Sequence, residues 1–444
     1  MSRKTVHPLL LVAALLLAGL ARSAGATVSD SLTVDECVAL ARRLAPGVRA
    51  AALDRGVARG DSAAAAVAAR PTVAAVAGAV VAPQGFYDPV ITNLGDYQLQ
   101  LSMEWTALDG GRLERARRRG GLDLRAADER AALETRDAGL EAARLAIQLL
   151  RLQEEVAAQQ LTIEWLGRLA DLVRAGVSMG SRGPSDSARV DLELDAAVTA
   201  LESARLDART TALALGTLLG RPDSDSLAVR GSSPLADRGP SAADSTRLLA
   251  VVERAPEVLL ARTLAARSRL DLMDAQRVKS PTVTVSIDAG LLGADLTHLV
   301  PPDLLEQQPD ATFADRLRRD LGASAAVHLR LPVADATAGP GVRAREAAVK
   351  AQEVRGGAEA TRQRQETLAL LARWSAAFRR VEAERHTRER AEDNLLRVKS
   401  LYSAGGTRLL DLLDARRVYE ESRQRLADAR AENRSLRFEA EDRR

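Results

Sequence analysis

The sequence predicts a mainly α protein with a small β part. Long antiparallel helical hairpins would form an α-helical barrel, and four strands per chain would contribute to a trimeric transmembrane β-barrel. Three observations carry this reading. The chain repeats one unit twice, each unit holds a very long stretch of helix formers without proline, and each unit holds two strands of alternating polarity.

The repeat comes first because it fixes the architecture. Ala45-Pro46-Gly47-Val48 matches Ala255-Pro256-Glu257-Val258, and Arg70-Pro71-Thr72-Val73 matches Ser280-Pro281-Thr282-Val283, both at an offset of 210. Gly111 pairs with Gly341 at an offset of 230. Leu166, Leu169, Val173, Ala175 and Gly176 pair with Leu395, Val398, Tyr402, Ala404 and Gly405 at an offset of 229. The added length enters between Thr297 and Asp320, where Pro301, Pro302 and Pro309 mark a loop insertion. The domains expected are thus 27–220 and 247–444, with strand pairs near 72–108 and 281–333. A Ser-, Asp-, Pro- and Gly-rich linker, 221–246, joins them.

Each unit opens with a short amphipathic helix (Val34–Leu44; Arg247–Ala255) and a second helix (Val48–Arg70; Glu257–Ser280) stopped by Pro71 or Pro281. After the strands come the long helices, Arg112–Ala175 and Val342–Ala404, which at 1.5 Å per residue would each span roughly 90 Å. Return helices Ser185–Gly220 and Leu409–Glu439 follow. Helices this long suggest a coiled coil or a helical barrel. Leu145, Leu149, Leu152 and Val156, then Leu166, Leu169 and Val173, recur at seam spacing. A plain antiparallel bundle satisfies the helices equally well.

The strands weigh against a plain bundle. Leu99, Leu101, Met103 and Trp105 alternate with Gln98, Gln100, Ser102 and Glu104. Val283, Val285 and Ile287 alternate with Thr284 and Ser286, and Val327, Leu329, Leu331 and Val333 with His328, Arg330 and Pro332. Apolar-out, polar-in alternation suits a membrane barrel with a wet lumen, which His328 would face. Phe86, Tyr87, Tyr97 and Trp105 gather in one hairpin, as in an interfacial aromatic girdle. Four strands cannot close a barrel and an open edge cannot sit in lipid, so three copies giving twelve strands are expected.

The ends and the composition agree. Arg3 and Lys4, the apolar run Leu9–Leu20 and Ala24-Gly25-Ala26 read as a signal peptide, 1–26. The 63 basic and 60 acidic residues are interleaved, giving a net charge of +3 with no basic block for nucleic acid. The one cysteine, Cys37, lies in a helical pattern as a small buried residue. His298, His328 and His386 share no metal-ligand spacing. No nucleophile motif and no phosphate loop is present, so neither an enzyme nor a cofactor is expected.

Duplicated strand–strand–long helix–return helix units behind a signal peptide resemble the TolC-like outer membrane efflux protein family. The opening helix Leu32–Ala41, the corner Leu108-Asp109-Gly110-Gly111-Arg112 and the stretch Leu401–Ala415 carry the resemblance. It implies an outer-membrane localisation, with a helical barrel projecting into the periplasm. The implied role is a homotrimeric channel in outer-membrane lipid, exporting small molecules or proteins with a periplasmic adaptor and an inner-membrane transporter. The competing class is a periplasmic coiled-coil adaptor or scaffold, with one helical hairpin rather than two.

By the same resemblance, Tyr402, Asp411 and Asp414 fall on the tyrosine and the two aspartates of the pore gate. Arg408 lies one place after the gate arginine, where Thr407 aligns. The turns holding Gly176, Val177 and Ser178, and Gly405 and Gly406, become the adaptor-docking tips, the first turn (Val177–Gly183) being the longer. The spacing of Asp411 and Asp414 puts both on one helix face near a helix start, where the dipole stabilises carboxylates. In a threefold pore they become acidic rings. Ala82–Gly95 and Leu291–Asp320 are expected as extracellular loops.

Overall fold

The structure, a computed structural model, describes residues 31–80, 96–221, 227–231, 237–294 and 298–443. The expected signal peptide, the loop Ala82–Gly95 and Phe86 and Tyr87 lie outside the described residues. The elements in chain order are β1 (Ser31–Leu32), α1 (Val34–Leu44), α2 (Pro46–Val67), β2 (Thr72–Val80), β3 (Asp96–Leu108), α3 (Arg112–Ser178) and α4 (Pro184–Leu218). There follow β4 (Ala228–Val229), α5 (Ala242–Val251), α6 (Pro256–Gln276), β5 (Thr282–Ala294), α7 (Pro302–Gln307), α8 (Phe313–Asp320), β6 (Leu321–Arg330), α9 (Ala338–Ser403) and α10 (Leu409–Asp442). The 67 residues of α3 and the 66 of α9 run without a break. Contacts divide the chain into two units, to both of which α3 and α9 contribute.

The first unit to consider comprises residues 51–131 and 253–362 and is built on one antiparallel sheet, order β2-β3-β5-β6. Its register aligns Val73 with Met103, Leu101 with Ala289 and Ile287 with Ala325. Because side chains alternate, one face carries Val73, Leu99, Leu101, Met103, Trp105, Ile287, Leu321, Val327 and Leu329. The other carries Gln98, Gln100, Ser102, Glu104, Ser286, Asp288, Ser324 and His328. Most of the apolar face is uncovered: Leu101 is 59% exposed and Val327 70%. Leu331 and Val333, expected to continue the last strand, fall after its end at Arg330, where Pro332 has no N–H to give to a ladder.

The same unit turns from strand to helix at two corners. At the first, the Asp109 carboxylate accepts from the amides of Gly111 at 2.9 Å and Leu113 at 2.6 Å. Gly110 and Gly111 take positive φ of 63° and 78°, open to glycine at little cost. At the second corner the Asp335 carboxylate accepts from the Thr337 amide at 2.8 Å. The counterpart of the first corner is therefore Asp335. Gly341, paired with Gly111 by sequence, sits inside α9. Ion pairs knit the helices: Arg115 and Arg119 to Asp274, Arg267 to Asp123 at 2.8 Å and Arg55 to Asp128. No residue of α2 is buried.

The second unit comprises the chain up to Ala50, residues 132–252 and 363–444. It holds the four apolar clusters found among the described residues. The largest gathers Val34, Cys37, Ala142, Ala146, Leu149, Leu215 and Leu219, each leucine contributing about 2 kcal/mol by leaving water. Burial pushes the Cys37 thiol up to about 12. Of the expected α3 seam, Leu149, Leu152, Leu166, Leu169 and Val173 are buried, and Leu145 and Val156 half-buried. A second seam on α9 runs Leu370, Trp374, Ala377, Val381, again at alternating steps of four and three.

The described parts of the linker are more ordered than its composition implies. Ala228–Val229 pairs in parallel with Ser31–Leu32, and both Leu32 and Val229 enter the core. Asp237 then lies 3.0 Å from Arg430 Nε, and the Arg238 carbonyl accepts from Trp374 Nε1 at 2.8 Å. Ser241 and Asp244 form a capping box that starts α5 at Ala242, five residues before the helix start read from sequence.

Candidate functional site at the helical tips

Both long helices end the same way. At α9, Gly406 N donates to Leu401 O at 2.8 Å and Gly405 N to Tyr402 O at 3.1 Å, with Gly405 at φ 76°. At α3, Ser181 N donates to Gly176 O at 2.9 Å and Gly180 N to Val177 O at 3.0 Å, with Gly180 at φ 71°. These paired bonds satisfy the last carbonyls of a helix and need a left-handed residue, which glycine supplies. The terminating glycine of the first tip is therefore Gly180, and Gly176 lies within α3. The tips match at an offset of 225, not 229, and both turns have five residues between helices, so the first is not longer.

Gly176 serves a different purpose. A Cβ there would stand 2.6 Å from Arg182 Cδ. The bare helix surface lets Arg182 fold back, where Nη1 donates to the Tyr402 hydroxyl and the guanidinium lies 4.7 Å over the Tyr402 ring. Tyr402 is buried among Leu166, Leu169, Val173, Leu409 and Leu412. Burial raises its phenol above the usual range, and Arg182 opposes that rise. The two tips are thus joined by a charged, stacked hydrogen bond.

The other expected gate residues are placed around the start of α10. Arg408 is its N-cap, with an exposed side chain 3.6 Å from Asp411 Oδ1. Asp411 Oδ2 accepts from Thr407 Oγ1 at 2.8 Å and Arg408 N at 3.1 Å, which holds its carboxyl below the usual range. Asp414 is exposed, 3.7 Å from Arg417 Nη2. Of the tip residues, Val177 packs on the apolar cluster and Ser178 Oγ donates to Ala175 O at 2.8 Å. The structure brings Tyr402 and the first tip together but pairs Tyr402 with Arg182, not Arg408. In the 225 register Arg182 stands where the second tip has Thr407, and the unusual Arg182-Gly183-Pro184 was its one trace in the sequence.

Among the described residues no group of three His, Cys, Asp or Glu side chains could hold a metal ion. No described helix is long and apolar enough to cross a membrane.

No family model and no curated protein matches the chain. Solved structures do. The outer membrane protein VceC of Vibrio cholerae is 15% identical, with 92% of this chain and 94% of that one covered at a TM-score of 0.75. The Campylobacter jejuni CmeC outer membrane channel is 12% identical over 92% and 85%, at 0.72. The Neisseria gonorrhoeae MtrE outer membrane channel, solved in its open state, is 16% identical over 95% and 93%, at 0.72. The chain has the TolC-like outer-membrane channel fold.

Proposed function

We propose that the chain is the outer-membrane duct of an export system. Three copies would close twelve strands into a lipid-embedded barrel and their helices into a periplasmic one. The observation that carries this is the sheet: a largely uncovered apolar face, a polar opposite face, and two edge strands, β2 and β6, each paired on one side only among the described residues. An unpaired edge is intolerable in lipid, and pairing β6 of one copy with β2 of the next removes it. The likeness of fold to outer membrane channels supports the same reading.

In this reading the tips at Val177–Ser178 and Gly405–Gly406 receive a periplasmic adaptor, which brings the inner-membrane transporter. Tyr402 and Arg182 hold the resting tip. Asp411 and Asp414, with Arg408 beside them, line the narrowest point, where six carboxylates round one axis bind cations. Fractionation of cells expressing the chain, with chemical crosslinking, tests the assignment. The outer-membrane fraction should hold a crosslinked trimer. A monomer in the soluble periplasmic fraction would favour the adaptor class instead.

A further inference from the structure

The segment between β5 and β6 buries two charged side chains and exposes three large apolar ones, the reverse of the usual preference at each of these positions. Arg316 retains 4% of its surface and Asp320 7%, whereas Leu299 retains 71%, Phe313 45% and Leu305 39%. The Arg316 guanidinium donates to the carbonyls of His298 and Leu299 and to Asp320 Oδ2 at 3.3 Å, and lies 5.2 Å over the Tyr97 ring. The Tyr97 hydroxyl donates to the same carboxylate, whose other oxygen accepts from Arg319 Nε at 3.0 Å. The segment expected as a loop is thus a folded piece, with β5 reaching Ala294 and α7 and α8 following.

Where this piece sits is set by the pleat. Tyr97 belongs to the face of Leu99 and Leu101 and is paired with Gly293. A Cβ on Gly293 would stand 2.6 Å from Asp320 Oδ2 and 2.7 Å from the Tyr97 ring. The ionic cluster therefore stands over the apolar face of the sheet, on the side away from Gln98 and Gln100. A piece clamped to a lipid-facing wall, with exposed leucines and a phenylalanine, matches an apolar partner continuous with that wall.

We propose that residues 298–320 form an interfacial foot. It lies on the lipid side of the barrel rim, with Leu299, Leu305 and Phe313 in the boundary between headgroups and acyl chains of a lipid surface. The foot is neither a plug of the lumen nor a water-borne loop. It rests on the channel reading above. The Arg316–Asp320–Tyr97 cluster holds it against the wall at the height where amphipathic aromatics favour the interface.

The experiment uses the full chain in lipid vesicles. Cys37 is fully buried and its thiol is pushed up to about 12, so an introduced cysteine is the one reactive thiol at neutral pH. A polarity-sensitive fluorophore is placed separately at Leu305→Cys, Phe313→Cys, Asp310→Cys and Leu101→Cys. Quenching by brominated phosphatidylcholine is then compared with quenching by aqueous iodide. The foot requires bromolipid to quench positions 305, 313 and 101, with iodide the better quencher at exposed position 310. Quenching by bromolipid at 101 with iodide dominant at 305 and 313 would overturn the foot and leave the channel standing. Absence of bromolipid quenching at 101 would overturn the membrane reading and the foot with it.

Discussion

The two helical tips end alike and begin differently. Gly180 and Gly405 terminate α3 and α9 with the same pair of backbone bonds, and in each tip five residues, the glycine among them, lie between the helices. The first return helix then starts at Gly183-Pro184 without a side-chain cap, while the second starts at Arg408 with Asp411 bonded back to its amide. In the first tip the position of Thr407 is held by Arg182, whose guanidinium leaves its own turn to stack on Tyr402. Duplication has kept what backbone geometry demands and changed what side chains can exchange: the first tip supplies a cation, the second a phenol and two carboxylates.

The largest expected effect lies on the phenol side. Tyr402→Ala empties a packed site and should cost about 3–5 kcal/mol by denaturant titration. Val177→Ala, at the matching place in the first tip, should cost about 1 kcal/mol; equal losses would erase the asymmetry. Because burial raises the Tyr402 pKa, its contribution is full below the unfolded value near 10 and fades as pH rises through the folded one. Tyr402→Phe should lose that alkaline dependence.

The terminators offer the symmetric control. Gly180→Val and Gly405→Val each force a branched side chain to positive φ and should each cost about 1–2 kcal/mol. A cost at one site alone would mean that the tips do not end alike. The cation side is expected to matter more for gating than for stability. Arg182→Gln removes a stacked, charged hydrogen bond, about 1–2 kcal/mol, and should raise resting conductance. Gly176→Ala should raise it too, by displacing Arg182, whereas Arg408→Gln should not. An unchanged resting conductance in Arg182→Gln would remove Arg182 from the gate.

The smallest effect is at Asp411. Its folded pKa is depressed by Thr407 and the Arg408 amide, so its contribution is present above the unfolded value near 4 and is lost as pH falls through the folded one. Asp411→Asn should lower the thermal midpoint at neutral pH and flatten the acid limb. An acid limb unchanged in Asp411→Asn would show that this cap does not hold the start of α10.

Much of this was legible because it follows from periodicity. The seam leucines, the two very long helices and the alternation of β3 and β5 all read directly. The 210 offset held at Pro46 and Pro256, since a proline at a helix start leaves little freedom. What escaped depends on long-range partners. Two-residue strands such as Ser31–Leu32 carry no periodic signal, so the pairing with Ala228–Val229 inside a Ser- and Pro-rich linker was invisible. Gly176 matched Gly405 by identity, but the bond from the residue after the terminating glycine chooses Gly180. Arg182 looked like one arginine among many, because its role exists only once Tyr402 is 4.7 Å away.

In the function proposed above, three copies of this chain form a pore narrowed by the acids beside the second tip. Planar-bilayer recording of the purified chain tests it most directly. Discrete conducting steps that a trivalent cation blocks are expected, with loss of the block when Asp411→Ala and Asp414→Ala are combined. Absence of conductance from folded trimers, or a block unchanged in the double variant, would contradict it.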